Sequence, residues 1–157
     1  MTPEAEILDD LLRQACRSRD GFIEAQNLLG ALPLDLAAFN AMNAVARVAS
    51  TAMIKDFEQL QEAMARLFRA VLRVLGASTK GLYPLDIGLR MVELRLLPDA
   101  ERWVQMVKLR NELVHEYPND PEHRLDRMTR VVAAFPELRE TLAKIEIFVA
   151  EKGWRDD

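Results

Sequence analysis

The chain has 157 residues, of which 50% are apolar and 29% are charged, and this length fits one domain with its own core. A net charge of −4 at pH 7 argues against a protein that holds nucleic acid through bulk positive charge. The single cysteine, Cys16, excludes an internal disulfide and a cysteine-based zinc site.

The N-terminal segment and the hydropathy pattern give no sign of export or of a membrane span. Residues 1–6 are acidic and lack the basic and apolar regions of a signal peptide. Apolar runs stay shorter than the roughly 18 residues of a membrane helix. The sequence also lacks a glycine-rich phosphate loop, a metal-ligand cluster and a nucleophile elbow. We therefore expect a cytoplasmic protein that uses no cofactor and no metal.

Apolar residues recur at helical spacing from close to the N-terminus. Thr2 is a predicted N-cap, and residues 18–21 are predicted to end the helix that follows it. A short helix is predicted over residues 22–29. Residues 34–75 contain neither glycine nor proline, and they predict either one long bent helix or two helices joined near Ser50.

The helical pattern continues through the second half of the chain. Helices are predicted over residues 85–97 and from Asp99 to about Tyr117. A last helix is predicted over residues 122–152, with a kink or a fresh helix start at Pro136. Strand-like alternation is not seen. The predicted fold class is therefore all-α, an up-and-down helical bundle.

The acidic charge is concentrated near the N-terminus. Residues 1–35 contain seven acids and three arginines, whereas the rest of the chain is balanced. We interpret residues 1–33 as an acidic helical extension and residues 34–157 as the helical bundle, the two being packed as one domain.

Arg110 occupies an unusual position on the helix that begins at Asp99. At about 100° per residue, the apolar side chains of this helix fall on one broad arc, and Arg110 lies in its middle. The arc holds Trp103, Met106, Val107, Leu109, Leu113, Val114 and Tyr117. An unpaired buried guanidinium is very costly, so Arg110 must meet an anion, a wet cleft or another subunit. Glu58 and Glu62 are candidate counter-ions.

His115 lies five residues after Arg110, about 140° further round the helix. One straight helix therefore cannot direct both side chains at the same small target. Either the helix unwinds near His115, or a second copy of the chain completes the pair. Tyr117 returns to the face of Arg110.

The pair of side chains suits phosphodiester chemistry. A histidine with a pKa near neutrality can act as general acid or base, and an arginine can hold phosphate oxygens and stabilise charge in the transition state. RNA brings its own nucleophile, the ribose 2′-OH, so cleavage needs no metal. The alternative is structural, with Arg110 in an internal ion pair and His115 facing the C-terminal helix dipole.

The segment Arg110-Asn111-Glu112-Leu113-Val114-His115-Glu116-Tyr117 resembles the R-x4-H-x-Y motif of HepT-like toxins in the HEPN superfamily. The later segment Phe135-Pro136-Glu137-Leu138 is similar to a Leu-Pro-Glu-Leu segment common in that family. The resemblance covers residues 34–153, and the first 33 residues match nothing that we can name.

The resemblance implies a metal-independent endoribonuclease toxin in which two bundles pair and line a shared cleft. Arg110 would bind the scissile phosphate, His115 would transfer protons, and Asn111 matches the polar residue that usually follows the arginine. Tyr117 matches the tyrosine that a partner nucleotidyltransferase antitoxin modifies with AMP. The implied partners are thus an RNA substrate, a second copy of the chain and the antitoxin.

Two further groups of arginines lie at helical spacing. Arg124 and Arg127 share a helix face and could steer RNA toward the motif, although a solvated face is the alternative. Arg66, Arg69 and Arg73 are interpreted as ordinary solubilising charge.

Two other functions remain open at this point. The chain could be a non-catalytic HEPN module that binds a nucleotidyltransferase or a nucleotide, or it could be a structural bundle of another family.

Overall fold

The computed structural model describes residues 2–115 and 119–155. In these ranges the chain forms α-helices and no strand, which confirms the predicted all-α helical bundle. The helices are α1 (Pro3–Leu29), α2 (Leu36–Asn40), α3 (Ala44–Val74), α4 (Pro84–Glu93), α5 (Ala100–His115) and α6 (Pro121–Glu151).

Helix α1 is continuous, so the predicted end at residues 18–21 is wrong. Thr2 is the N-cap as predicted, because its Oγ1 accepts the amide N–H of Ala5 at 3.2 Å. Gly21 lies inside the helix against α3, where a Cβ would come 2.7 Å from Asp56 Oδ2. A glycine costs an exposed helix about 1 kcal/mol, and the packing of α1 along α3 outweighs this cost.

The interruption in residues 34–75 also differs from the prediction. The chain leaves α2 at Asn40 and starts α3 after Asn43, whose Oδ1 accepts the amide N–H of Ala46 at 2.8 Å. Ser50 lies within α3, and its hydroxyl donates to the carbonyl of Arg47 at 2.8 Å. A join near Ser50 is therefore wrong, because Asn43 supplies the cap.

Helix α4 ends at Glu93 rather than Leu97, and Arg95 has a φ of 61°. Its Gly88 packs against α5, where an added Cβ would come within 3.2–3.3 Å of Ala100. Asp99 precedes α5, and its Oδ1 accepts the amide N–H of Glu101 at 2.8 Å. The close approach at Gly88 sets how α4 lies beside α5.

Helix α6 passes through Pro136 without ending, so the predicted alternative of a fresh helix start is wrong. Proline has no N–H to donate, which removes one bond from the helical ladder. The neighbouring Phe135 stacks on Phe22 of α1 with ring centroids 3.8 Å apart. This tertiary contact helps to hold α6 on α1 next to the missing hydrogen bond.

All six described helices contribute to the core, since its buried cluster includes Phe39 of α2 and Met91 of α4 beside residues of α1, α3, α5 and α6. Leu8, Leu12 and Phe22 of α1 are fully buried in the same apolar cluster as Trp103 of α5. Trp103 packs on Phe68 of α3 with ring centroids 4.5 Å apart. Of the helices described, none is both long and apolar enough to cross a membrane.

Candidate active site

Arg110 projects from α5 toward α3, and its side chain is 27% exposed. Its Nη2 lies 3.3 Å from Glu62 Oε2, and its Nη1 donates to Asn111 Oδ1 at 3.3 Å. Its Nε is buried and makes no hydrogen bond to the part of the chain that is described. Glu62 is thus a counter-ion, as expected, and Asn111 is in place to orient the guanidinium.

Glu62 is shared between two arginines. Its Oε1 lies 2.8 Å from Nη2 of Arg66, while its Oε2 faces Arg110. Arg69 adds a third guanidinium, which donates to the carbonyls of Thr79 at 3.1 Å and Leu82 at 3.0 Å. Backbone carbonyls carry no net charge, so Glu62, Arg69 and Arg110, which lie together between α3, α4 and α5, carry one positive charge in excess, and this excess favours a bound anion.

A small groove lies between α3, α4 and α5 at Arg110. Its volume is about 110 Å³, and Arg69, Arg110, Gln61 and Trp103 are among its lining residues. The groove is partly open to solvent and has room for a small anionic group. Arg69 therefore does not lie on a purely solvated stripe, and the interpretation of it as solubilising charge is wrong.

Gln61 is a site residue that the sequence analysis missed. It is only 2% exposed, and its Nε2 is buried without a hydrogen-bond partner among the described residues. Gln61 and Arg110 line the same groove, and each carries a buried N–H donor without a partner. Such donors are rare because each costs free energy, and a pair beside one cavity points to an acceptor that binds there. The available signal was a polar residue within the apolar stripe of α3.

His115 is the last residue of α5, and its side chain is exposed. Its imidazole makes no hydrogen bond or ion pair with residues 2–115 or 119–155. The helix is regular up to His115, so it does not unwind before the histidine. Within one chain, none of the contacts described joins His115 to Arg110. Tyr117, the predicted modification site, lies outside the described residues.

Arg124 and Arg127 lie on α6 near the C-terminal end of α5. The Arg124 guanidinium lies over the Phe39 ring at 5.7 Å, and Arg127 Nη2 donates to the carbonyl of Glu112 at 3.3 Å. Arg130 Nη1 lies 2.6 Å from Glu112 Oε2, and this hydrogen bond lowers the pKa of Glu112. Arg127 and Arg130 therefore hold α6 to α5, and Arg124 contacts α2, so these arginines do not form only a solvated face.

The helices and the groove define a class of protein: an all-α bundle whose long helices enclose a cationic, donor-lined groove. A family model described as Ribonuclease HepT-like matches residues 34–145, which is more than two thirds of the chain, and the chain belongs to this family. Comparison with curated proteins gave no match, and neither did comparison with solved structures. The matched region begins after α1 and ends within α6.

Proposed function

We propose that the chain is a metal-independent endoribonuclease toxin whose active site combines Arg110 and His115 from two copies. Membership of a ribonuclease family supports RNA as the substrate. The main evidence for a phosphate-binding site is the pair of unpartnered donors, Gln61 Nε2 and Arg110 Nε, at one groove with an excess of positive charge. A phosphate oxygen is the acceptor that satisfies both donors and the charge.

Arg110 is the group that meets the scissile phosphate. Its guanidinium presents several donors in a fixed plane, which matches two oxygens of one phosphate. Glu62 and Asn111 hold this plane in place before RNA arrives. Donors that are already oriented toward developing negative charge stabilise a transition state without reorganisation.

His115 is the proton-transfer group. The 2′ oxygen attacks phosphorus, the bond to the 5′ oxygen breaks, and a 2′,3′-cyclic phosphate and a 5′-hydroxyl are formed. The 2′-hydroxyl loses a proton and the 5′ oxygen gains one, so one base and one acid are needed. A single His115 can fill both roles in turn, because the imidazole that takes the proton from the 2′-hydroxyl can return it to the 5′ oxygen.

A second copy of the chain also explains how Arg110 and His115 can act on one substrate although they point in different directions from α5. Arg110 and His115 diverge by about 140° on a regular helix, so the histidine that serves one groove comes from the other chain. Helix α4, which lines the groove, has exposed apolar side chains at its solvent face and its N-cap, namely Tyr83, Leu85 and Leu89. Exposed apolar patches of this kind mark interaction surfaces, and we assign this one to the homodimer.

Control by an antitoxin is the remaining part of the proposal. A nucleotidyltransferase would transfer AMP from ATP to the phenolic oxygen of Tyr117, two residues after His115 in sequence, with release of pyrophosphate. A phosphate-bearing group beside a phosphate-binding groove excludes RNA by bulk and by like charge. A cytoplasmic location is proposed with this function, since both the RNA and the antitoxin would be met there. The acidic residues 1–33 are proposed as an extension of the bundle, outside the family match.

One observation favours a second candidate, a non-catalytic HEPN module. The ion pair with Glu62 gives Arg110 a partner within its own chain, as a structural role requires. The two functions are separated by incubating purified wild-type and His115→Ala protein with single-stranded RNA and by expressing each in cells. The ribonuclease proposal expects cleavage and growth arrest from the wild type alone. Equal cleavage by both proteins would contradict the role of His115, and no cleavage by either would favour the second candidate.

A further inference from the structure

A second cavity lies one helical turn from the groove of Arg110. Its volume is about 480 Å³, and residues of α2, α3, α5 and α6 line it. Leu113 reaches it from α5, three residues after Arg110, and Glu58 from α3, four residues before Glu62. The groove and the cavity therefore follow each other along the seam between α3 and α5.

The inner wall of this cavity is apolar. Phe39, Leu113 and Met128 line it and are each less than one tenth exposed, and the half-buried Ile54 joins them. The volume falls within the roughly 300–1,000 Å³ of small-molecule sites. A planar apolar group, such as a nucleobase, fits such a wall.

The rim of the cavity carries positive charge. Arg124 lies over the ring of Phe39, and no carboxylate in the described parts of the chain pairs with it. Lys55 contributes a second cation from α3, paired with Glu58 at 3.4 Å. Arginine beside an aromatic ring is a common arrangement for stacking a base and holding its phosphate.

We propose that this cavity binds a nucleoside monophosphate unit, with the base on the wall beside Phe39 and Met128 and the phosphate on Arg124. The choice of a nucleotide rests on the proposed function, because a ribonuclease places nucleotides along the seam that leads from Arg110. The unit has two sources, a nucleotide within a bound RNA strand and a free nucleotide.

The first test locates the ligand. Full-length His115→Ala protein, which is not expected to cleave RNA, is titrated with 5′-AMP while the methyl NMR signals of Ile54 and Met128 are followed. Saturable shifts at these two methyls are expected, with Ile147, an exposed residue elsewhere on α6, unaffected. Adenosine, which lacks the phosphate, is expected to bind about tenfold more weakly. No shift at millimolar 5′-AMP, or equal binding of adenosine, would overturn the proposal.

The second test removes the cation. Arg124→Glu is expected to weaken 5′-AMP binding by at least about tenfold through charge reversal. Arg139→Glu makes the same charge change on an exposed residue of α6 and is expected to leave binding unchanged. Arg124→Gln, which keeps a polar side chain, is measured beside them with the melting temperature of each. Folded Arg124 variants that bind 5′-AMP like the wild type would refute the site.

Competition distinguishes the two sources. If a single-stranded oligoribonucleotide displaces 5′-AMP, the cavity receives a nucleotide of the RNA strand. If it does not, while 5′-AMP binding still depends on Arg124, the cavity receives free nucleotides. Both results support the proposal that the cavity binds a nucleoside monophosphate unit. All of these measurements use protein that is not required to cleave, so they can succeed even if the ribonuclease proposal fails.

Discussion

A substitution at Gln61 can show whether the groove beside Arg110 is a functional site or only a structural feature. The substitution Gln61→Met keeps the length of the side chain and removes its amide. Gln61 is 2% exposed, and its Nε2 has no partner in the described part of the protein. A buried unsatisfied donor costs about 1–3 kcal/mol, so replacing it with an apolar group is expected to stabilise the fold.

The expected gain in unfolding free energy for Gln61→Met is taken from the low end of that range. A gain of about 1 kcal/mol raises the melting temperature of a domain of this size by roughly 2–4 °C. Cleavage is expected to change in the opposite direction. Losing one oriented donor to a transition-state oxygen typically lowers kcat by about 100-fold or more. The variant should thus be more stable and less active.

Calorimetric unfolding and cleavage of a fluorescent single-stranded RNA measure the two effects. Gln59→Met is the matched control, because Gln59 is exposed on the same helix, and it should change neither quantity appreciably. Unchanged cleavage by Gln61→Met would refute the role of the amide. A fall of several degrees in melting temperature would show that Nε2 is hydrogen-bonded in the protein.

Three further predictions follow from the same structure. Arg110→Lys keeps a cation beside Glu62 but loses the planar fork, so unfolding free energy should change by less than about 1 kcal/mol while RNA cleavage falls about 100-fold; retained cleavage would favour a purely structural ion pair. Leu89→Glu should shift the proposed homodimer toward monomer in light scattering, whereas Ile147→Glu, at a similarly exposed position of α6, should not, and the reverse result would place the interface elsewhere. Gly88→Ala should destabilise the fold by about 1–3 kcal/mol in denaturant unfolding, because the new Cβ meets α5 at 3.2 Å; a more stable variant would show that α4 moves freely.

Local physics made much of the bundle predictable. Apolar residues at helical spacing identified the helices, and the cost of burying a guanidinium predicted that Arg110 would meet an anion, a wet cleft or another subunit. The structure supplies that anion in Glu62, one of the two carboxylates proposed. The capping role of Thr2 was also readable from residue type alone.

Features that depend on tertiary packing were not predictable in this way. A glycine often ends a helix, yet α3 packs against Gly21 and α1 continues through it. Arg69 shares the spacing of Arg66 and Arg73, but only the position of α4 and its preceding loop turns it into a groove residue. Gln61 was overlooked because the apolar residues around it dominated the pattern of α3.

The relation between Arg110 and His115 is tested most directly by subunit complementation. Arg110→Ala and His115→Ala chains carrying different tags are co-expressed, and the mixed dimer is purified. A site composed of both chains leaves one intact arginine–histidine pair, so the mixed dimer should cleave RNA at about half the wild-type rate, while each parent dimer is inactive. A mixed dimer as inactive as its parents, or no dimer at all, would contradict the composite site.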